Sequence, residues 1–264
     1  MTNSYDRGNL FAKERQDNIV GYINRAEHAS VNELASFFGV SIATIRNDLN
    51  YLAERGLIKR SHGGASSIGK NDFSVETSIY ERSASNVRQK ETIARKSLQL
   101  INDGDTIAIL AGTTLFELTK LLGQKSDLTI VVNDLQIASW LNENTNHRIY
   151  VLGGFIRNKF HYMNFDTSYI ESINVDKAFF STTGFDLNKG AMVPDINLAS
   201  TERCILNKAN QLILLCDSSK FHKTAFVKVV DTNSIDYIIT DSGISDEDRE
   251  TLNSHKGLEL IVAD

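Results

Sequence analysis

The 264-residue sequence predicts an α/β chain of two domains: an N-terminal winged helix-turn-helix and a larger, mainly parallel α/β domain. Three observations carry this. Short apolar helical segments surround a glycine at position 39, a Gly63-Gly64 pair follows a short basic stretch, and from Thr106 onward β-branched runs alternate with helical ones. Domain limits of 1–66 and 87–264 follow, with a linker of weak apolar periodicity over 67–86.

Within the first domain, Ile19, Val20 and Ile23 recur at helical spacing between about Lys13 and Arg25, and Val31, Leu34, Ala35 and Phe38 form a second set. Gly39 ends that second helix in a tight turn, and Ser41 caps a third running to about Glu54. On this third helix Ile45, Leu49 and Leu52 share the inward face, which leaves Ala43, Thr44, Arg46, Asn47 and Asn50 on other faces. The stretch LIKRSHGGASSI reads as two strands turning over at the glycines.

In the second domain Ile93, Ala94, Leu98 and Ile101 mark a helix closed by NDGD. The strands TIAIL, LTIVV, RIYVLGG, DKAFFST, QLILLCD, DYIITD and LELIVAD then alternate with helical segments. The stripe Leu118, Leu121 and Leu122 is core, and the acidic run SDEDRE at 245–250 is a helix N-terminus.

Composition narrows the function. With 41% apolar and 23% charged residues, no run of 18 apolar residues and a polar N-terminal stretch, a cytoplasmic protein with no membrane partner is expected. Cys204 and Cys216 read as buried free thiols, and His147, His161, His222 and His255 lack metal-ligand spacing, so neither metal nor cofactor is expected. The net charge of −5 is uneven: residues 1–70 hold nine Lys and Arg against seven Asp and Glu, the rest nineteen against twenty-six. That modest basic excess does not establish nucleic-acid binding by itself; particular residues must.

The segment VNELASFFGVSIATIRNDLNYLAERGLIKRSHGGA at 31–65 resembles the DNA-binding signature of the DeoR family of bacterial repressors. GTT at 112–114, VVNDLQIA at 131–138, LGG at 152–154, DKAFFSTTGFD at 176–186 and DSSKF at 217–221 resemble that family's sensor motifs in the same order. The resemblance implies a sensor domain of the ribose-phosphate isomerase and CoA-transferase type, a double-stranded DNA operator and a phosphorylated sugar effector. It also marks two departures: Leu110 stands where the family commonly has an acidic residue, and Asn164 where it commonly has glycine.

In such a motif Arg46 and Asn47 are the leading base readers, with Ala43 and Asn50 beside them, whereas Ser41, Thr44, Lys59, Arg60 and His62 suit phosphate contacts. Alone, Arg46 would be a solvated helix residue; the full motif changes that. The AGTT loop follows a strand and opens a helix, so Gly112, Thr113 and Thr114 offer amides and hydroxyls to an anion. Asn133, Asp134, Gly153, Gly154, Gly184 and Asp186 would converge at the carboxyl edge of the sheet around sugar hydroxyls. Lys220 supplies positive charge, and Arg157 is a second candidate.

A regulator rather than an enzyme is expected, assembled by its α/β domain as a homodimer or homotetramer. Two alternatives stand: a sugar-phosphate isomerase, discounted because no general base can be placed with Leu110 in the acidic position, and a DNA-binding protein that has lost its sensing function.

Overall fold

The computed structural model describes residues 5–26, 28–61, 63–67, 79–157, 161–164 and 170–264. The chain divides into two compact units, Met1–Glu81 and Arg82–Asp264. Among the described residues no helix is long and apolar enough to cross a membrane.

The first unit runs α1 (Tyr5–Ala26), β1 (His28–Ser30), α2 (Val31–Phe38), α3 (Ile42–Glu54), β2 (Lys59–Ser61) and β3 (Gly64–Ser66). Helix α1 begins at Tyr5 rather than near Lys13, because Leu, Ala, Lys, Glu and Arg extend a helix whose apolar periodicity starts only at Ile19. Ser30 and Glu33 form a reciprocal capping box that starts α2, and Gly39, at φ 64°, ends it. Ser41 caps α3 by accepting from Thr44 N at 3.1 Å. Ile19, Ile23, Leu34, Ile45 and Leu49 are fully buried together, which fixes α3 against α1 and α2. A buried carboxylate locks the same arrangement: Asp48 accepts from Arg15 Nε at 2.7 Å and from Gln16 Nε2 at 2.8 Å.

Strand β1, too short to leave a periodic signal, pairs with β3 and makes it the middle of a three-stranded sheet. The two glycines of the wing therefore have different causes. Gly63 sits at φ +91° with open space around it, whereas a Cβ on Gly64 would lie 2.3 Å from Ala29 O.

Helix α4 (Ile79–Ala84), inside the stretch expected as linker, carries the chain across the unit boundary at Glu81, and its last three residues belong to the second unit; residues 68–78 of that stretch lie outside the described residues. The second unit continues α5 (Val87–Leu98), β4 (Thr106–Ile109), α6 (Thr113–Thr119), β5 (Thr129–Val132), α7 (Leu135–Asn144), β6 (Arg148–Val151), β7 (Phe155–Ile156) and β8 (Met163–Asn164). Then follow β9 (Val175–Phe180), β10 (Gly184–Asp186), β11 (Gly190–Val193), α8 (Ile196–Leu206), β12 (Ala209–Leu215), β13 (Val227–Val230), β14 (Tyr237–Asp241), α9 (Asp246–Ser254) and β15 (Glu259–Ala263).

Seven of these strands form one sheet in the order β15-β14-β12-β9-β4-β5-β6, and every pairing in it is parallel. Parallel strands buried on both faces need near-continuous apolar runs, and Ile107, Ala108, Ile109, Ile130, Val132, Phe179 and Phe180 provide them. From β4 the chain steps outward through β5 and β6, then returns to place β9 on the other side of β4 before continuing through β12, β14 and β15. Loops leaving β4 and β9 thus diverge at their carboxyl ends, the point where such sheets open a crevice.

One expectation is corrected here. The segment GFD does not end a strand of the parallel sheet; β10 belongs to a separate antiparallel sheet, β10-β11-β13, because the parallel strand β9 already ends at Phe180 and the chain then folds back as a hairpin.

Gly64→Ala is expected to cost about 2–3 kcal/mol by overpacking β1 against β3, and Gly63→Ala only about 1 kcal/mol of left-handed strain. Hydrogen exchange of the β1–β3 amides in the full chain measures both; a larger loss at Gly63 would contradict this account.

Candidate functional site

Burial of Ile45, Leu49 and Leu52 turns the opposite side of α3 outward. Ser41, Ala43, Arg46, Asn47 and Asn50 are exposed and Thr44 half-buried. Ser41 and Thr44 already serve the helix start, their hydroxyls 2.8 Å apart. The structure adds Ile42 and Tyr51, both exposed, and places the Arg55 guanidinium 3.5 Å from the Tyr51 ring centroid. Tyr51 lies one turn beyond Asn47, a spacing that was readable in the sequence. On the wing Lys59 and Arg60 are exposed, and Arg60 Nη1 donates to Gly64 O at 2.9 Å, stiffening the hairpin; His62 lies outside the described residues.

In the second unit a cleft opens where β4 and β9 diverge. Ala111, Gly112, Thr113 and Thr114 form one wall, Ser181, Thr182 and Thr183 the other, and Lys90, Lys220, Arg82, Ser85 and Glu202 also line it. The loops meet closely: a Cβ on Gly112 would lie 3.2 Å from Ser181 Cβ, so a side chain there would push the walls apart. Thr182 is spent on structure, its hydroxyl bonded to Gly184 O, Met192 O and Met192 N. The cleft therefore offers small residues, hydroxyls and ammonium groups at the open end of a parallel sheet.

Two family models match this arrangement: the DeoR-like helix-turn-helix domain over residues 15–71 and the DeoR C terminal sensor domain over residues 85–242. The chain belongs to the DeoR family. It is 31% identical over 251 residues to the putative aga operon transcriptional repressor of Escherichia coli O157:H7, covering 94% of this chain and 93% of that protein. The HTH-type transcriptional regulator GolR of Listeria innocua serovar 6a is 32% identical, with 89% and 93% covered. The glycerol-3-phosphate regulon repressor of Escherichia coli K12 is also 32% identical, with 87% and 90% covered. A solved D-ribose-5-phosphate isomerase in complex with phospho-erythronic acid is similar over 51% of this chain and 54% of that one, at 21% identity and a TM-score of 0.40, a likeness too slight to bear on function.

Electrostatics give the DeoR sensor cleft its character. Lys90 is only 4% exposed. Burial pushes its ammonium down to about 8, against the pull of Asp217 and Glu117 and with the push of Lys220 and Arg82. Its Nζ donates to Arg82 O. Lys220 is likewise lowered, first by burial, while Asp217 works the other way. Asn86 ties the start of α5 to this corner, donating to Asp217 Oδ1 at 3.0 Å and to Ser219 Oγ at 3.2 Å.

Not every expected residue faces the cleft. Gly112, Thr113, Thr114 and Lys220 do; Asn133, Asp134, Gly153, Gly154, Arg157, Gly184 and Asp186 are not among the residues lining it. Asp134 caps α7, accepting from Gln136 N and Ile137 N, and burial raises its carboxyl. Gly153 and Gly154 are exposed in the turn after β6. Arg157 donates to the Tyr162 hydroxyl and stands 3.8 Å from Asp195. Gly184 is glycine because a Cβ would meet Lys223 O at 2.5 Å, and Asp186 closes the β10–β11 turn through Asn188 N and Lys189 N. Leu110 is fully buried core.

Lys90 and Glu202 were missed although a signal existed. Lys90 falls in register with Ile93, Ala94 and Ser97 on the buried face of α5, and Glu202 with Leu198 and Ile205 on that of α8. A charge in an apolar stripe marks a functional candidate.

Sulfate, which keeps its charge between about pH 6 and 9, isolates the lysine's contribution. An anion takes the charged form of Lys90, so binding is full below about 8 and is lost as pH rises through that value. Calorimetry should show affinity falling roughly tenfold from about pH 7 to about pH 9, and a much flatter profile in Lys90→Met. A wild-type profile that rises with pH would contradict this.

Proposed function

We propose that this DeoR-family regulator represses transcription from a double-stranded operator and is released from it by a phosphorylated sugar or sugar alcohol. The observation that carries this reading is the cleft between β4 and β9, where the Gly112-Thr113-Thr114 loop faces Lys90 and Lys220. Hydroxyls, a closely approached glycine and buried ammonium groups are what a phosphate needs in order to leave water. The names of the relatives point the same way, one being a repressor of a glycerol-3-phosphate regulon.

On this reading residues 1–66 read DNA, 67–86 connect, and 87–264 sense effector and assemble the homodimer or homotetramer. Arg46 and Asn47 read base edges; Lys59 and Arg60 contact phosphates. The connection carries the signal: Arg82 and Ser85, which line the cleft, lie in α4 and just after it, at the entry of the chain into the sensor unit. An effector that draws on Lys90 also competes for the bond from Lys90 Nζ to Arg82 O.

Glu202 puts a carboxylate in the cleft, which weakens the earlier objection to an isomerase for want of a base. Turnover is therefore assayed with the same compounds, and none is expected.

The deciding experiment screens phosphorylated sugars and sugar alcohols for release of the protein from its own upstream DNA. Thr113→Val and Lys220→Met should bind operator normally and lose the response; a normal response in both removes the effector site from this cleft. For DNA, Arg46→Ala and Asn47→Ala should each weaken operator binding by about 1–3 kcal/mol selectively, while Lys59→Ala weakens binding to all sequences and lowers the salt slope by about one. Equal losses on random and operator DNA would reverse these assignments. Footprints should show half-sites separated by whole helical turns.

A further inference from the structure

We propose that Ile42, the first residue of α3, reads the 5-methyl group of a thymine in the major groove of the operator. This rests on the reading of α3 as the helix that meets DNA, and it adds a specificity residue with no hydrogen-bonding atom.

The first turn of α3 stands clear of the core on nearly every side. Ser41, Ile42 and Ala43 are consecutive exposed residues, and Arg46 and Asn47, one turn on, are exposed as well. Burial starts only at Ile45. Helical period alone would set Ile42, three residues before Ile45 and seven before Leu49, at the margin of the inward stripe. Instead it keeps 45% of its surface exposed. The helix start does not need it either, because Ser41 accepts from Thr44 N at 3.1 Å and the two hydroxyls stand 2.8 Å apart. Single exposed apolar residues are common and mean little by themselves. What distinguishes Ile42 is its place, one turn before Arg46 on the same side of the helix.

The chemistry selects the target. A recognition helix sends its N-terminal residues into the major groove, so Ile42 enters wherever that first turn does. The base edges there present donors, acceptors and one apolar group, the thymine methyl. Phosphate, guanine and cytosine edges offer an isoleucine side chain nothing in exchange for the water that they lose. Against the methyl, both partners leave water, and a β-branched chain with a stiff χ1 gives up little freedom in doing so. Arg46, beside it, suits a guanine, so the two residues read neighbouring base pairs by different physics.

The test takes the tightest duplex that the full-length protein selects from a random pool and prepares it twice, once with thymine and once with uracil, which lacks only the methyl. Wild type, Ile42→Ala and Arg46→Ala are titrated with both. Wild type should lose about fourfold in affinity for each contacted thymine replaced by uracil, the worth of one buried methyl. Uracil also alters the stiffness of the duplex, but equally for every protein, so the difference between wild type and Ile42→Ala isolates the contact. Ile42→Ala should melt within about 2 °C of wild type, bind the thymine duplex more weakly and show a thymine preference at least about threefold smaller. Replacing thymines one at a time should then place the loss at one position in each half-site. An equal thymine preference in wild type and Ile42→Ala overturns the proposal, and so does a wild type indifferent to uracil. Either result with Arg46→Ala still weakened leaves the reading of α3 intact. If no duplex is selected, or if Arg46→Ala binds the selected one as tightly as wild type, that reading and the proposal are overturned together.

Discussion

A lysine held in the apolar stripe of a helix is the constraint on which the sensor unit depends. Lys90 shares its face of α5 with Ile93 and Ala94, and packing of that face draws the ammonium out of water. Such burial is costly unless charge or hydrogen bonds compensate. Asp217, Glu117 and the Arg82 carbonyl compensate in part, and an ammonium lowered to about 8 shows that the compensation is incomplete. A bound anion would complete it. Parallel topology puts this buried, partly compensated charge where the loops after β4 and β9 separate, so sheet order and electrostatics single out the same few residues.

The DNA-reading unit uses the opposite device. Asp48 is buried on α3 and fully engaged by Arg15 and Gln16 of α1, so the polar group there fixes an orientation instead of awaiting a partner. With α3 pinned from behind by an ion pair and apolar packing, Arg46, Asn47 and Asn50 are presented on a rigid element. Wing stiffness comes from Gly64, whose missing side chain lets β3 lie against β1.

Much of the fold was legible because it rests on local rules. Gly39, Ser41 and the inward stripe of α3 are fixed by backbone conformation and helical period, and most of the β-branched runs from Thr106 onward suit parallel strands buried on both faces. Strand β1 was not legible, since three residues carry no period, nor was the early start of α1. Within the candidate site, the Gly112-Thr113-Thr114 loop and Lys220 stood out as motif and charge. Asp186 and Gly184 misled because a polar or glycine residue at a strand end looks alike whether it closes a hairpin or faces a ligand; only sheet membership separates the two. Lys90 and Glu202 are single charges within the buried stripes of α5 and α8, where their apolar neighbours dominate the pattern.

If the cleft and the operator are two sites of one switch, their coupling must be reciprocal. The most direct measurement is the affinity of the tightest-binding phosphorylated sugar for the full-length protein, determined once without DNA and once with saturating operator, beside the operator affinity with and without that sugar. The account requires both ratios to be equal and to differ from one by roughly 5- to 150-fold, with operator and sugar each weakening the other. A sugar phosphate that binds in the cleft with the same affinity whether or not operator is present would contradict it.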